Sequence, residues 1–382
     1  MTTLILDTPG GPLRLQRPGA TSRDLRAWDA ADELLIGAAA EVPNPSRPLV
    51  VDDAFGALSL ALTARFPGCS LQSVADSALA ADALASNARL NRHLPEPDAV
   101  HSWRNPPAGP FDLIVLRIPR QADYLAWLLR WANGVLAPEG RILAGGMIKH
   151  LPDRSVDVFA DAVITEHVLP ARKKARVVVC KQGDAPLDTW PGHWRGYAVP
   201  GLGAAVQGLP AVFAREKLDV GTAELLPLMA DSLAALAPGA RVLDLACGNG
   251  VLGLSALSRP GDLELDFSDV SSQAVVSVEH NLARLTFTDR ARVFHADGVP
   301  EAAGRYPLIL LNPPFHEGGV VGDHIALRLF EQASEHLTPG GRLLMVGNRH
   351  LGYHRSLGRF FRHVQQRGAS PRFVVFEAFN QP

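Results

Sequence analysis

The chain repeats itself, and the repeat limits what it can fold into. In the second half, "ARVLDLACGNGVLGLSAL" carries an apolar run into a glycine loop and then a helix-like run; in the first half, "LVVDDAFGALSLAL" does the same. Next, "SDVSSQAVVSVEHNLARL" answers to "ADSALAADALASNARLN", pairing Asp269 with Asp76 and Asn281 with Asn87. "YPLILLNPPF" then matches "FDLIVLRIPR", "TPGGRLLMVG" matches "APEGRILAGG", and "SPRFVVFEAF" lines up with "KARVVVC". Five elements agree in order and spacing, which marks a duplication. On this alignment Asp52, Ala54 and Gly56 stand where Asp244, Ala246 and Gly248 stand.

Each copy alternates apolar strands with helix-like runs, the pattern of an α/β fold with a mainly parallel sheet covered on both faces. The final run, "RFVVFEAF", follows the turn-like "QRGASP" and is expected to pair antiparallel at the sheet edge. At 382 residues the chain has room for two such domains. The Gly-, Pro- and Asp-rich stretch "KQGDAPLDTWPGHWRG" reads as the linker, giving domains 1–185 and 190–382.

The loop "DLACGNGVLG" places Gly248, Asn249 and Gly250 between a strand and a helix. Glycines there let the backbone approach a ligand without a Cβ clash. An acid about 20 residues on, Asp269, ends the next strand, where it can accept both ribose hydroxyls of an adenosyl group. A nicotinamide dinucleotide and S-adenosylmethionine both fit this pattern. Asp244 favours the second, because a carboxylate at the end of the first strand repels a pyrophosphate but can meet an amine or orient the loop. Asp297, in "FHADGV", is either an acceptor for the adenine amino group or a turn residue.

"LILLNPPF" ends the fourth strand of the second copy on Asn312, Pro313, Pro314 and Phe315. A planar amine is a poor nucleophile because its lone pair is delocalised. The Asn312 side-chain oxygen and the Pro313 carbonyl are suited to accept one N–H each, and the prolines keep the loop rigid and free of donors. Phe315 offers a face on which a flipped base can stack. In the first copy Arg117, Ile118, Pro119 and Arg120 replace the motif, so that copy is expected to have lost cofactor and catalysis.

With these residues in place, the chain resembles the ribosomal RNA guanine-N2 methyltransferases of the RlmG and RsmC type. "VLDLACGNGVLG" and "NPPFH" carry the likeness to both; "LRAWDAADELLI", "GGMIKHLP", "VVGDHIALRLFEQA" and "GNRHLGYH" carry it to the RlmG side. The resemblance implies tandem class I methyltransferase (Rossmann-like) domains with a degenerate first copy that helps recognise RNA. It also implies methyl transfer from S-adenosylmethionine to a guanine N2 in 23S ribosomal RNA. Asn312 to Phe315 would hold the amine, Gly248 and Gly250 would line the cofactor, and Asp269 would meet its ribose. Ala246 stands where the family usually has Gly, while Phe213, Asp219 and Gly221 keep the family pattern.

A formal net charge of −2 gives no global basic field, so RNA must be met by local patches. Arg172, Lys173, Lys174 and Arg176 form one; Arg349, His350, His354, Arg355, Arg359 and Arg362 form another, interleaved with Leu351, Leu357 and Phe361 at near-helical spacing. Cys69, Cys180 and Cys247 are scattered, which suits a reducing cytosol, and Cys247 reads as packing. No metal cluster, signal peptide or membrane span is expected, and the chain is placed in the cytoplasm. Rival readings are the same chemistry on 16S ribosomal RNA, methylation of a protein glutamine, and a non-catalytic RNA-binding factor.

Overall fold

The computed structural model describes residues 2–19, 25–151, 155–314 and 324–381, and they fall into two compact units, Met1–His193 and Trp194–Pro382. Unit one opens with a hairpin of β1 (Leu4–Thr8) and β2 (Gly11–Leu15). It continues through α1 (Ala30–Ala40), β3 (Pro48–Val51), α2 (Ala57–Arg65), β4 (Gln72–Val74), α3 (Leu79–Leu90) and β5 (Phe111–Arg117). Then come α4 (Ala122–Val135), β6 (Leu136–Met147), α5 (Ser155–Ala160), β7 (Ile164–Val168) and β8 (Ala175–Lys181). The sheet order is β4-β3-β5-β6-β8-β7, parallel from β4 to β6, with β8 antiparallel to both neighbours.

Unit two repeats the plan. A short pair, β9 (Arg195–Tyr197) and β10 (Val206–Gly208), precedes α6 (Val220–Leu225), α7 (Met229–Ala234), β11 (Arg241–Leu245) and α8 (Val251–Leu257). There follow β12 (Glu264–Asp269), α9 (Ser272–Leu285), β13 (Ala291–His295), β14 (Tyr306–Leu311) and α10 (His324–Glu335). The unit closes with β15 (Leu337–Asn348), α11 (Tyr353–Leu357), β16 (His363–Ala369) and β17 (Phe373–Phe379). Its order is β13-β12-β11-β14-β15-β17-β16. Leu243, Ile309 and Leu311 pack to one face with Phe330 and Tyr353; Val242, Leu308 and Leu310 pack to the other with Leu252 and Val278. Burial on both faces is why these strands are unbroken apolar runs rather than alternating ones.

Two expectations need correction. The last strand, β17, does pair antiparallel, but it lies second from the edge, between β15 and β16. The edge is β16, drawn from the stretch read as a turn; its polar, mostly exposed residues tolerate water where the fully buried β17 would not. The glycine-loop alignment is also shifted by two residues. Val51 pairs with Leu116 as Leu245 pairs with Leu311, so Asp52 corresponds to Ala246. Gly56 corresponds to Gly250; both start a helix at φ +82°. The shared constraint is the left-handed helix start, and matching aspartates hid it. Asp53 accepts from the Ser59 N–H at 2.8 Å just as Asp244 accepts from that of Gly253 at 2.8 Å, so a carboxylate serves the same helical turn from a different position in each copy.

The pairing of Asn87 with Asn281 holds. Asn281 accepts from Gln207 N–H at 3.0 Å and donates to the carbonyls of Gln207 at 2.8 Å and Asn249 at 3.1 Å. Asn87 makes the same three bonds to Gln16 and Phe55. Both are fully buried, so replacing Asn281 by Ala strands three backbone groups. The expected cost is about 2–4 kcal/mol in urea denaturation; an unchanged midpoint would show that the bonds carry no net stability.

Candidate active site

The order of unit two reverses direction at β11, whose neighbours are β12 and β14. A ligand crevice is expected at the carboxyl ends of strands at such a point. A cavity of about 350 Å³ lies there, lined by Asp244, Ala246, Gly248, Asn249, Asp269, Asp297, Asn312, Pro313 and Pro314 among others. Phe315 lies outside the described residues.

Gly248 has φ +55°, and nothing lies within 4 Å of where a Cβ would stand. Its N–H donates to Asp269 Oδ2 at 2.8 Å, while Ser271 N–H donates to Oδ1 at 2.9 Å. The Asp269 carboxylate is thereby held at the rim of the loop. Gly250 is not among the residues that line this cavity. A Cβ there would meet Val278 at 3.0 Å and Phe267 at 3.4 Å, so this glycine serves the start of α8 and its packing. Ala246 adopts φ +54°, a conformation costing a non-glycine residue on the order of 1 kcal/mol. Asn249 is buried and donates to the Tyr197 hydroxyl at 3.1 Å.

Asp244 is buried, and burial pushes its carboxyl up to about 8, against the Gly253 N–H that it accepts and with the help of the nearby Asp269 charge. It orients the first turn of α8. Burial also raises the Cys247 thiol well above its usual range, which removes it as a nucleophile at neutral pH. Asp297 is bound by both Arg328 terminal nitrogens, with Nη2 at 2.7 Å from Oδ1, so the rim carries an ion pair rather than a lone carboxylate.

Asn312 follows β14 directly. Its Nδ2 donates to Thr222 Oγ1 at 2.9 Å and to Asp219 Oδ2 at 3.2 Å. Its Oδ1 is buried and has no partner among the described residues. An unmet buried acceptor is costly and uncommon, and marks a place where a donor is expected. Phe213, 63% exposed, lines the same crevice. Reading the motifs alone missed the contacts of Asn312 with Asp219 and Thr222, and of Arg328 with Asp297. The helix-start pattern of an Asp three residues before a Thr, in "LDVGT", was the available signal for the first.

The basic groups are partly engaged. Arg172, Lys173 and Lys174 are exposed at the turn between β7 and β8, where Lys173 and Lys174 adopt φ +48° and +64°, and Arg176 is exposed on β8 itself. Lys173 pairs with Glu33 at 2.7 Å. Arg349 donates from Nε and Nη2 to the Ser370 carbonyl at 3.0 and 2.8 Å. His350 and Arg355 are exposed. The near-helical spacing expected here is not one helix: Gly352 at φ +63° breaks it, and α11 buries only Tyr353 and Leu357.

Residues 3–184 match the RLMG N-terminal domain and residues 203–377 the methyltransferase small domain. The ribosomal RNA large subunit methyltransferase G of Pseudomonas paraeruginosa is 40% identical, with 97% of this chain and 98% of that protein covered. The chain belongs to the ribosomal RNA large subunit methyltransferase G family. The protein of the same name from Pseudomonas putida strain F1 is 38% identical over 98% of this chain and 99% of its own. The fold is shared with the T. thermophilus 16S rRNA N2 methyltransferase RsmC, solved with AdoMet and guanosine, at 24% identity and a TM-score of 0.75 over 100% of this chain and 98% of that one. Among the described residues no helix is long and apolar enough to cross a membrane, and no group of three or more His, Cys, Asp or Glu is placed to hold a metal ion.

The raised Asp244 pKa has a sign. Its folded value of about 8 lies above the unfolded one near 3.9, so the native state holds the extra proton and stability falls as pH rises between those values. Asp244→Asn keeps the acceptor for Gly253 and removes up to about 1.4 kcal/mol per pH unit of that slope. Denaturation of both forms at pH 5, 6 and 7 checks this; parallel curves would refute it.

Proposed function

We propose that this chain transfers the methyl group of S-adenosylmethionine to the exocyclic N2 of a guanine in 23S ribosomal RNA, in the cytoplasm. The observation that carries the chemistry is the buried Oδ1 of Asn312, which has no partner among the described residues, on a side chain that lines the crevice. The family carries the substrate: its relatives are named for the large ribosomal subunit RNA.

The residues present fit the cofactor. Open space faces Gly248, and Asp269 stands fixed at the end of β12. We assign Gly248, Asn249 and Ala246 to the cofactor's binding surface, Asp269 to its ribose, and the Asp297–Arg328 pair to the adenine side. When bound, S-adenosylmethionine supplies an electrophilic methyl group on a sulfonium. Asn312 Oδ1 and the Pro313 carbonyl then accept one N–H each from the guanine amine. That turns the nitrogen lone pair toward the methyl, and alignment of this kind lowers a barrier by several kcal/mol. The methylated nitrogen is a strong acid and loses its proton to water without a protein base. Pro313 and Pro314 fix their own backbone φ and offer no competing N–H, the exposed Phe213 offers a face to the base, and Phe315, outside the described residues, is proposed to offer another.

Unit one takes no part in transfer on this reading. Arg117 occupies the position of Asn312, and the buried Tyr124 stands beside Asp52, its hydroxyl accepting from Trp103 Nε1 at 2.8 Å. Its exposed Arg172, Lys174 and Arg176, with His350 and Arg355 of unit two, are assigned to RNA phosphates.

Asn312→Ala is expected to lower kcat by about a hundredfold or more while leaving cofactor affinity within a few fold. Mass-spectrometric mapping of methylguanine in 23S RNA from cells carrying each form tests both site and substrate. Full methylation by the variant would remove Asn312 from the chemistry, and loss confined to 16S RNA would reassign the substrate. Changing Lys174 and Arg176 to Glu is expected to weaken RNA binding and to flatten its salt dependence, by a slope of about 1 per lost phosphate contact. An unchanged slope would place the RNA elsewhere.

A further inference from the structure

We infer that Asp219 and Thr222 are positioning residues that set which end of the Asn312 amide faces the crevice. The inference rests on the amine-holding reading of Asn312 and names the device that makes it work. An asparagine amide has two ends of nearly equal shape, one donating and one accepting, and only the accepting end can hold an amine. Something must therefore fix the flip.

Asp219 is the N-cap of α6, and its Oδ2 accepts from the Thr222 N–H at 2.9 Å and from the Thr222 hydroxyl at 3.3 Å. A carboxylate accepts and does not donate. Its demand turns the Thr222 hydroxyl proton toward Oδ2, so the Thr222 oxygen presents a lone pair to Asn312. The Asn312 Nδ2 thus meets two acceptors, at 2.9 and 3.2 Å. Flipped, Asn312 Oδ1 would face the carboxylate with no proton between them. The polarity runs one way, from Asn312 N–H to Thr222 to Asp219, and leaves Oδ1 as the end of the amide with no partner among the described residues. Gly221 gives this room: a Cβ there would stand 3.1 Å from Asp219 Oδ2 and 3.0 Å from the Phe373 ring.

Unit one supplies an internal comparison. Asp29 caps α1 and accepts from the Asp32 N–H, as Asp219 caps α6 and accepts from that of Thr222. Arg117, in the place of Asn312, donates to Asp29 Oδ1 at 3.1 Å and Oδ2 at 2.9 Å, and its Nε lies 3.3 Å from Asp32 Oδ1. The contact between the fourth-strand end and the capped helix survives in both copies. Only in unit two is the strand-end residue one that, held by its nitrogen, still offers an oxygen.

The test uses the full chain and three variants beside Asn312→Ala. Thr222→Val keeps the shape and removes the hydroxyl; Thr222→Ser restores it; Asp219→Ser keeps a good helix cap and removes the carboxylate. Thr222→Val and Asp219→Ser are expected to lower kcat about tenfold or more, with cofactor Kd and RNA KM within about threefold. Thr222→Ser is expected to return kcat to within about threefold of the parent. If Thr222→Val and Asp219→Ser run at the parental rate while Asn312→Ala is inactive, the amine-holding reading stands and this inference falls. If Asn312→Ala is itself fully active, both fall. A loss of kcat matched by equal loss of cofactor affinity, or no rescue by Thr222→Ser, assigns the pair a structural role and also overturns it.

Discussion

A helix acting as a strand partner sets the position of everything around the crevice. Gln273, Ser277 and Asn281 lie four residues apart on α9, so they share one face. That face accepts the N–H groups of Ala211, Leu209 and Gln207 at 2.7, 3.0 and 3.0 Å. All three side chains are fully buried, where a missing partner costs more than a made bond gains. The segment is therefore pinned residue by residue, and Asn281 ties it to the glycine loop through the Asn249 carbonyl. Phe213 follows from that segment and Asp219 lies soon after. One polar stripe thus registers the loop and leads the chain toward the N-cap beside Asn312. In unit one Asn87 and Asn91 hold Gln16 and Arg14 of the opening hairpin in the same way.

The two copies show which features belong to the sheet and which to the chemistry. The left-handed glycine that starts the first helix, the buried asparagine and the capped helix touching the end of the fourth strand recur in both. Each answers a demand of backbone geometry or of an unsatisfied polar group. What differs is the polarity offered to a ligand. Ala54 stands where Gly248 leaves open space, Phe55 under the Arg17 guanidinium stands where Asn249 reaches Tyr197, and a guanidinium replaces an amide. A scaffold can keep its bonds and change what its crevice can hold.

The duplication, the parallel sheets and the chemistry-bearing strand ends were legible because they are written in local order: apolar runs, glycines and an Asn-Pro-Pro stop. The two-residue slip in the glycine loop was not, because identical aspartates are louder in a sequence than a shared positive φ at Gly56 and Gly250. Gly248 and Gly250 look the same in letters, yet one faces open space and the other packs near Val278 and Phe267. The edge strand hid in polar residues because edges are made of them. The Asp219–Thr222–Asn312 contact spans 93 positions between Asp219 and Asn312, and no local pattern announces such a meeting.

The ion pair that stands in place of the amide in unit one ties the end of β5 to the start of α1. Arg117 bridges two neighbouring acids, Asp29 and Asp32, and burial, opposed by Arg117, pushes Asp32 up to about 7. Replacing Arg117 by asparagine alone would remove the countercharge from Asp29 and leave burial unopposed at Asp32, driving that carboxyl further toward its protonated form. The same step would recover no chemistry, since Ala54 and Phe55 would still occupy the loop. The strand end and the helix start of this unit are therefore one electrostatic unit: a change at position 117 is felt first by the two acids at the start of α1.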